Sequence, residues 1–188
     1  MRNLVLFMHI SLDGFVAGPN GEMDWIVLND EVFDLAGKRT KKADMALYGR
    51  VTYQMMEAYW PTAAVQPNAT KHDKEHSEWY NKVSKVVVSR TMQGKDLAGT
   101  RIISDNVNSE IKQLKEKEGE DILLFGSPSV VHTLMQENLI DDYWLFVSPV
   151  LIGKGIPLFK NIEQTRKLKL KKNKAFDDGV VCLHYSIG

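Results

Sequence analysis

The chain has 188 residues, with Lys+Arg and Asp+Glu at 24 each and a formal net charge of zero. This balance supplies no field to draw nucleic acid or an anionic membrane surface, and no apolar run approaches the length of a membrane span. A single cysteine, Cys182, excludes an intrachain disulfide and fits a cytoplasmic protein whose one thiol is packed and inert.

The length suits one domain over residues 1–188 with a sizeable core. Leu4 to Ile10 is almost wholly apolar, as in a strand covered on both faces. "SLDGFVAGPNGEMDW" is rich in Gly, Asp, Asn and Pro and reads as a long connection. Asn29 or Asp30 caps a predicted helix to about Lys42, with Val32, Phe33 and Ala36 inward. "MALYGR" predicts a second strand ending in a turn, followed by a short helix from Val51 to about Ala58. Pro61 to Ser77 is polar, carries two prolines and reads as a loop with a helical piece ending at Trp79-Tyr80.

"KVVVS" and "TRIIS" are the next strands. Val107, Ile111 and Leu114 form the apolar stripe of a helix over Asn106 to Glu118. "DILLF" is a strand, and Val130, Val131, Leu134 and Met135 mark the helix after it. "DDYWLFVSPVL" is a further strand and "IGKGIPLF" a loop. Lys and Leu then alternate over Lys167 to Lys171, Asp177-Asp178-Gly179 signals a hairpin turn, and "VVCLHYSI" returns. The order predicts an α/β fold: a mainly parallel central sheet flanked by helices, closed by a C-terminal antiparallel hairpin.

Three strand ends share a pattern. In "FGSPSV", Gly126 lets the backbone turn closely, Ser127 can cap the next helix, and Pro128 suits its first position. Free N–H groups at such a helix start attract anions, phosphates among them. "LYGRVTY" repeats the arrangement with Gly49, Arg50 and Thr52, and "VVVSRT" with Ser89, Arg90 and Thr91. Three such ends, two carrying an arginine fork, suggest a ligand with several phosphates, hence a dinucleotide. The alternative reading leaves Arg50 and Arg90 as solvated surface residues.

Other patterns carry less. "HDKEH", His72 to His76, has the spacing of a zinc-binding helix, but the segment offers no third ligand and no metal is expected. Gly153-Lys154-Gly155 lacks the third glycine of a dinucleotide fingerprint and reads as a loop. Tyr59-Trp60 and Trp79-Tyr80 suit stacking on a flat ring or packing in a core or dimer contact.

Taken in order, "ISLDGFVAGPNGEMDW", "LYGRVTY", "VVVSRT", "ILLFGSPSVV" and "LIDDYWLFVSPVLIGKGIPLF" resemble the dihydrofolate reductase-like family. The resemblance is nearest to the branch of the reductase domain of the riboflavin-pathway deaminase-reductase. It implies NADPH as cofactor and a pterin, pyrimidine or similar small heterocycle as substrate. It places Gly49, Arg50 and Thr52 along the cofactor phosphates. Ser89 and Arg90 fall near the adenosine ribose and its 2′-phosphate. Gly126, Ser127, Pro128, Ser129 and Val130 form the turn under the pyrophosphate and nicotinamide, with Trp25 beside the nicotinamide pocket. Asp30, five residues after Trp25, matches the substrate-binding acid of dihydrofolate reductases and so carries the catalytic and substrate-binding expectation; its other reading is a helix cap. Arg39 matches an arginine that holds a substrate phosphate, its other reading being a solvated basic run in "GKRTKK". Relatives in this branch often pair, so a homodimer is expected. One departure stands out: where that branch carries a Glu before the glycine turn, this chain has Phe125. That residue keeps open a non-catalytic nucleotide-binding protein on the same fold.

Overall fold

A computed structural model describes residues 1–188. The elements run β1 (Leu4–Ser11), β2 (Phe15–Ala17), α1 (Asp30–Thr40), β3 (Ala43–Gly49), α2 (Arg50–Ala63), α3 (Lys71–Lys82), β4 (Ser84–Val88) and β5 (Thr100–Ile103). They continue with α4 (Val107–Glu116), β6 (Asp121–Leu124), α5 (Pro128–Gln136), β7 (Asp142–Ser148), β8 (Ile156–Pro157), β9 (Leu168–Ala175) and β10 (Val181–Ile187).

Eight strands form one sheet in the order β5-β4-β3-β6-β1-β7-β10-β9. The first six are parallel; β10 runs antiparallel to both β7 and β9. This is the mainly parallel sheet with an antiparallel terminal hairpin that the sequence pattern predicts. The apolar runs sit where burial on both faces demands them. Alternate residues of β1 enter different cores: Leu4 and Leu6 pack with α4 and α5, while Val5 and Phe7 pack with α1. Tyr48 and Val87 on the same face as α1 pack with Tyr53 of α2 and Tyr80 of α3. The result is three layers, with α1, α2 and α3 on one face and α4 and α5 on the other. At the edge, β9 is exposed along its length, and its lysines disfavour further strand pairing.

The structure departs from the pattern reading in three places. The helical piece expected before Trp79-Tyr80 is present and longer, and helix also extends over residues 61–63, leaving 64–70 as the loop. The second helix passes through Pro61 to Ala63, with the proline in its last turn. Residues 71–82 form α3, started by a capping box in which Thr70 and Asp73 satisfy each other's backbone N–H groups. Part of the "IGKGIPLF" loop pairs as β8 with β2, which itself lies inside the predicted first connection. Gly155 faces the carbonyl of Ala17 so closely that a side chain there would overlap it, which explains that glycine without any nucleotide.

The carboxyl ends of β4, β3 and β6 are neighbours in the sheet. Gly49 pairs in register with Val88, and its N–H donates to the Gly126 carbonyl at 2.8 Å. A methyl group on Gly49 would overlap the Ser127 hydroxyl and lie 3.0 Å from the Ser127 nitrogen. Gly126 has φ of +108°, a conformation open to glycine, and a methyl there would meet Thr52 Oγ1 at 3.3 Å. Substituting Gly49→Ala therefore overpacks this junction and should cost about 1–3 kcal/mol of stability in urea unfolding. Adding Ser127→Gly removes the colliding hydroxyl, so the pair should show a coupling of at least about 1 kcal/mol in the rescuing direction. Simple additivity of the two substitutions would contradict the contact.

Candidate active site

Two helices begin at these adjoining tips. Gly49 precedes α2 and Ser127 precedes α5, and neither start has a side-chain cap. The first-turn N–H groups of α2 have no side-chain partner, as anion-binding helix starts require, whereas in α5 Pro128 has no N–H and that of Val130 donates to the Ser127 carbonyl at 3.0 Å. Ser127 occupies the cap position as the sequence suggests, with Pro128 after it, but its hydroxyl sits 3.0 Å from that of Ser129 rather than on the backbone. Arg50 is exposed at the start of α2 and donates to Gln54 at 3.0 Å. The buried Ser89 and the exposed Arg90 stand at the end of β4, with the Ser89 hydroxyl 3.3 Å from that of Thr91. Val130 is buried behind the turn in the first turn of α5. The predicted set Gly49, Arg50, Thr52, Ser89, Arg90 and Gly126 to Val130 is brought to one end of three adjacent strands. The two glycines let these tips pack tightly, Gly49 against Ser127 and Gly126 against Thr52 and Met8.

A cavity of 410 Å³ opens beside these tips, between the strand face of Phe7, His9 and Phe125 and the helices α1, α2 and α3. Thr52 and Met8 line it and also flank Gly126, so tips and cavity share a wall. Fourteen of nineteen lining residues are hydrophobic; the others are Thr40, Thr52, His9, His72 and His76, so no formally charged side chain faces the space. Phe125, in the place of the expected Glu, joins an aromatic wall: its ring lies 5.5 Å from Tyr48 and 5.6 Å from Phe7.

The imidazoles were not anticipated as lining groups. Their spacing in "HDKEH" signals one helix face, yet only the fold turns that face toward β1 and α1. His72 stacks on Phe33 at 3.9 Å, and His76 lies 4.1 Å from Trp60 and 5.4 Å from His72. His76 is 7% exposed, and neither of its ring nitrogens has a partner; Nδ1 of His9 is likewise buried and unpartnered. Each unpaired buried nitrogen costs roughly 1–3 kcal/mol. Burial drives the His76 pKa down to about 3 and that of His9 to about 4, with the neighbouring His72 pushing the same way. Burial also lowers His72. No group of three His, Cys, Asp or Glu side chains is arranged to hold a metal.

Three predicted site residues lie outside the cavity. Asp30 is exposed in the first turn of α1, and the cap is Asn29, whose side chain accepts from the Val32 N–H at 2.8 Å. A carboxylate left in water in this way is not the buried acid that the resemblance implies. Trp25 is half-buried before α1, its indole donating to the Glu22 carbonyl at 3.2 Å. Arg39 is neither solvated nor beside the cavity: it is 5% exposed and pairs with Asp121 at 2.8 Å, at the start of β6. That is the opposite end of the sheet from Gly49 and Gly126.

The histidine pKa values set an acid dependence. In the unfolded chain these imidazoles titrate near 6.5, whereas in the fold His9 and His76 stay neutral to about 4 and about 3. The unfolded chain therefore binds more protons across that window, and stability falls as pH drops from 6.5. Urea midpoints measured between pH 7 and 4.5, above most carboxylate titration, should fall, and His76→Phe should flatten the slope. A variant with the native slope would remove His76 from the account.

The family model described as the RibD C-terminal domain matches residues 2–182. The uncharacterized protein YyaP of Bacillus subtilis (strain 168) is 32% identical over 186 residues, spanning 98% of this chain and 94% of its own length. A solved pyrimidine reductase-like protein of Corynebacterium diphtheriae superposes with a TM-score of 0.70 at 14% identity, covering 100% of this chain and 92% of that one. The diaminohydroxyphosphoribosylaminopyrimidine deaminase/5-amino-6-(5-phosphoribosylamino)uracil reductase of Thermotoga maritima gives a TM-score of 0.70 at 16% identity, over 100% of this chain and 57% of that larger protein. Strand order, terminal hairpin and the near-complete family match agree, and the chain belongs to the RibD C-terminal domain family, with its reductase-type fold.

Proposed function

We propose that the chain is an NADPH-dependent reductase of a small heterocyclic ring. One observation carries this reading: Thr52 and Met8, which lie against Gly126 at the strand tips, also line the 410 Å³ cavity. A nucleotide held at the tips would present its far end to the cavity. When bound, the cofactor supplies the hydride and its two electrons. The chain supplies position and dryness, which together are able to contribute roughly 7–11 kcal/mol toward a barrier.

In this reading Gly49, Thr52 and Gly126 to Ser129 hold the phosphates through backbone N–H groups and hydroxyls. Val130 supports the turn from behind. Arg50 and Arg90 are free to reach outward, Arg90 to a 2′-phosphate beside Ser89. Phe7, Phe125 and Phe33 exclude water from the ring. The half-buried Trp25 closes the segment leading into α1, outside the cavity wall. A cytoplasmic location, consistent with one buried thiol, belongs to the same reading. So does pairing of two chains, for which the terminal hairpin offers exposed Leu168 and Leu170 beside Ile187.

A second reading has its own support. The cavity lining holds no carboxylate to supply a proton, as a non-catalytic nucleotide binder on this fold would require none. Titration with NADPH followed by absorbance decay with a panel of pterins and aminopyrimidines separates the two, since binding without turnover on every compound favours the binder. Arg90→Ala should weaken NADPH by about ten- to a hundredfold while leaving NADH unchanged, from roughly 1.5–3 kcal/mol per charged hydrogen bond. Equal losses for both coenzymes in calorimetry would overturn the role of Arg90.

A further inference from the structure

A separate cavity of 550 Å³ lies at the other end of the sheet, between the last turn of α1, the starts of β6 and β7, and the terminal hairpin. Its lining is the reverse of the first cavity's. Five cations, Lys38, Arg39, Lys42, Lys171 and Lys172, face it against two carboxylates, Asp121 and Asp142. Both carboxylates are already engaged: Asp121 accepts from Arg39 at 2.8 Å, and Asp142 lies 2.7 Å from Nε2 of His184. None of the four lysines belongs to an ion pair. In a chain of zero net charge, four free ammonium groups around one concavity are a local excess.

Two simpler causes cover part of it. Cations in the last turn of a helix oppose its dipole, which accounts for Lys38. Lysines along an edge strand discourage further pairing. Neither accounts for the aim of Lys171 and Lys172. Consecutive strand residues point to opposite faces, yet these two line the same cavity. The cause is a break in register: His184 pairs with Lys172 and Tyr185 with Leu170, so Lys171 is the extra residue of a β-bulge. Bulges re-aim side chains, and this one adds a lysine to the cavity. A solvated edge charge needs no such departure from the ladder.

The walls are close together. Lys172, His184 and Trp144 stand side by side across β9, β10 and β7, which puts neighbouring Cβ atoms about 4.5–5.5 Å apart. From α1, the Arg39 guanidinium reaches within 5.8 Å of the Trp144 ring centroid, and the Lys42 carbonyl accepts from the Asp121 N–H at 3.2 Å. Lysine is a mobile point charge, suited to total charge more than to a fixed fork of oxygens. The volume falls among small-ligand pockets, roughly 300–1,000 Å³, and holds more than a single ion.

We propose that this cavity is a second anion site, at the far end of the sheet from Gly49 and Gly126, which binds a compact polyanion bearing a chain of phosphates through Lys38, Lys42, Lys171 and Lys172. It stands whether or not the chain is a reductase.

Calorimetry on the full chain with tripolyphosphate tests it. Lys171→Ala/Lys172→Ala should weaken binding about tenfold or more, two charged contacts being lost. Lys167→Ala/Lys169→Ala removes the same charge from the same edge, outside the lining, and should leave the affinity unchanged. Arg50→Ala/Arg90→Ala, at the strand tips, should leave it unchanged as well. Adenosine 5′-triphosphate separates the two sources of such a chain. An affinity equal to that of tripolyphosphate shows that the bare chain suffices; tighter binding that Lys171→Ala/Lys172→Ala abolishes shows that a nucleoside lodges here too. Equal losses in the two lysine pairs would reduce the effect to general attraction and overturn the site. A loss confined to the arginine variant, or no binding by the native chain, would overturn it equally.

Discussion

The close passage of Gly49 against Gly126 and Ser127 is the contact on which the candidate site depends. It exists because β3 and β6 are adjacent parallel strands that end level with each other. Parallel pairing sends both chains into helices at the same edge, so two helix starts must share one small volume. A side chain at either glycine would push them apart. Neither helix start is capped by a side chain, so both begin at this junction with their ends toward the same edge of the sheet.

Next to this polar edge, the cavity is built from groups that cost stability when empty. Three buried imidazole nitrogens, on His9 and His76, have no hydrogen-bond partner behind its wall. The surrounding packing compensates. Trp60, Trp79 and Tyr80 anchor α2 and α3 to the strand face, with the Tyr80 hydroxyl donating to Glu57 at 2.7 Å and the Trp79 indole to the Ala43 carbonyl at 3.0 Å. Those aromatic pairs therefore belong mainly to packing, although Tyr59 and Trp60 also face the cavity.

The parallel strands were legible because burial on both faces forces uninterrupted apolar runs, as in Leu4 to Ile10 and "DILLF". The strand tips were legible because glycine, serine and proline at a strand-to-helix turn each have a backbone reason to be there. Two kinds of feature were hidden. Residues 71–82 are so polar, and Pro61 so suggestive of a break, that local composition argues against the helices that tertiary packing stabilises. The cavity was hidden because its walls come from β1, β6 and three helices, and no local spacing encodes which faces meet. The HDKEH spacing was visible, but its two histidines invite a metal reading until their neighbours are seen to be aromatic rings. Of the two cap candidates legible in the sequence, Asn29 and Asp30, the fold uses Asn29 and leaves Asp30 exposed in the first turn.

Buried cations and their carboxylate partners collect at the amino ends of the strands. Asp44, Asp121, Asp141 and Asp142 stand at or beside the starts of β3, β6 and β7. Each is paired there: Asp44 with Arg2, Asp121 with Arg39, Asp141 with Lys115 and Asp142 with His184. Arg2, Arg39 and Lys115 are all less than a tenth exposed, so their charges require those carboxylates nearby. These pairs hold the amino ends of the strands, while Gly49, Ser89 and Gly126 lie at the carboxyl ends with Arg50 and Arg90. This placement accounts for Arg39: a guanidinium engaged in holding the amino end of β6 is not available to a substrate at the other end, whatever its position in the sequence suggests.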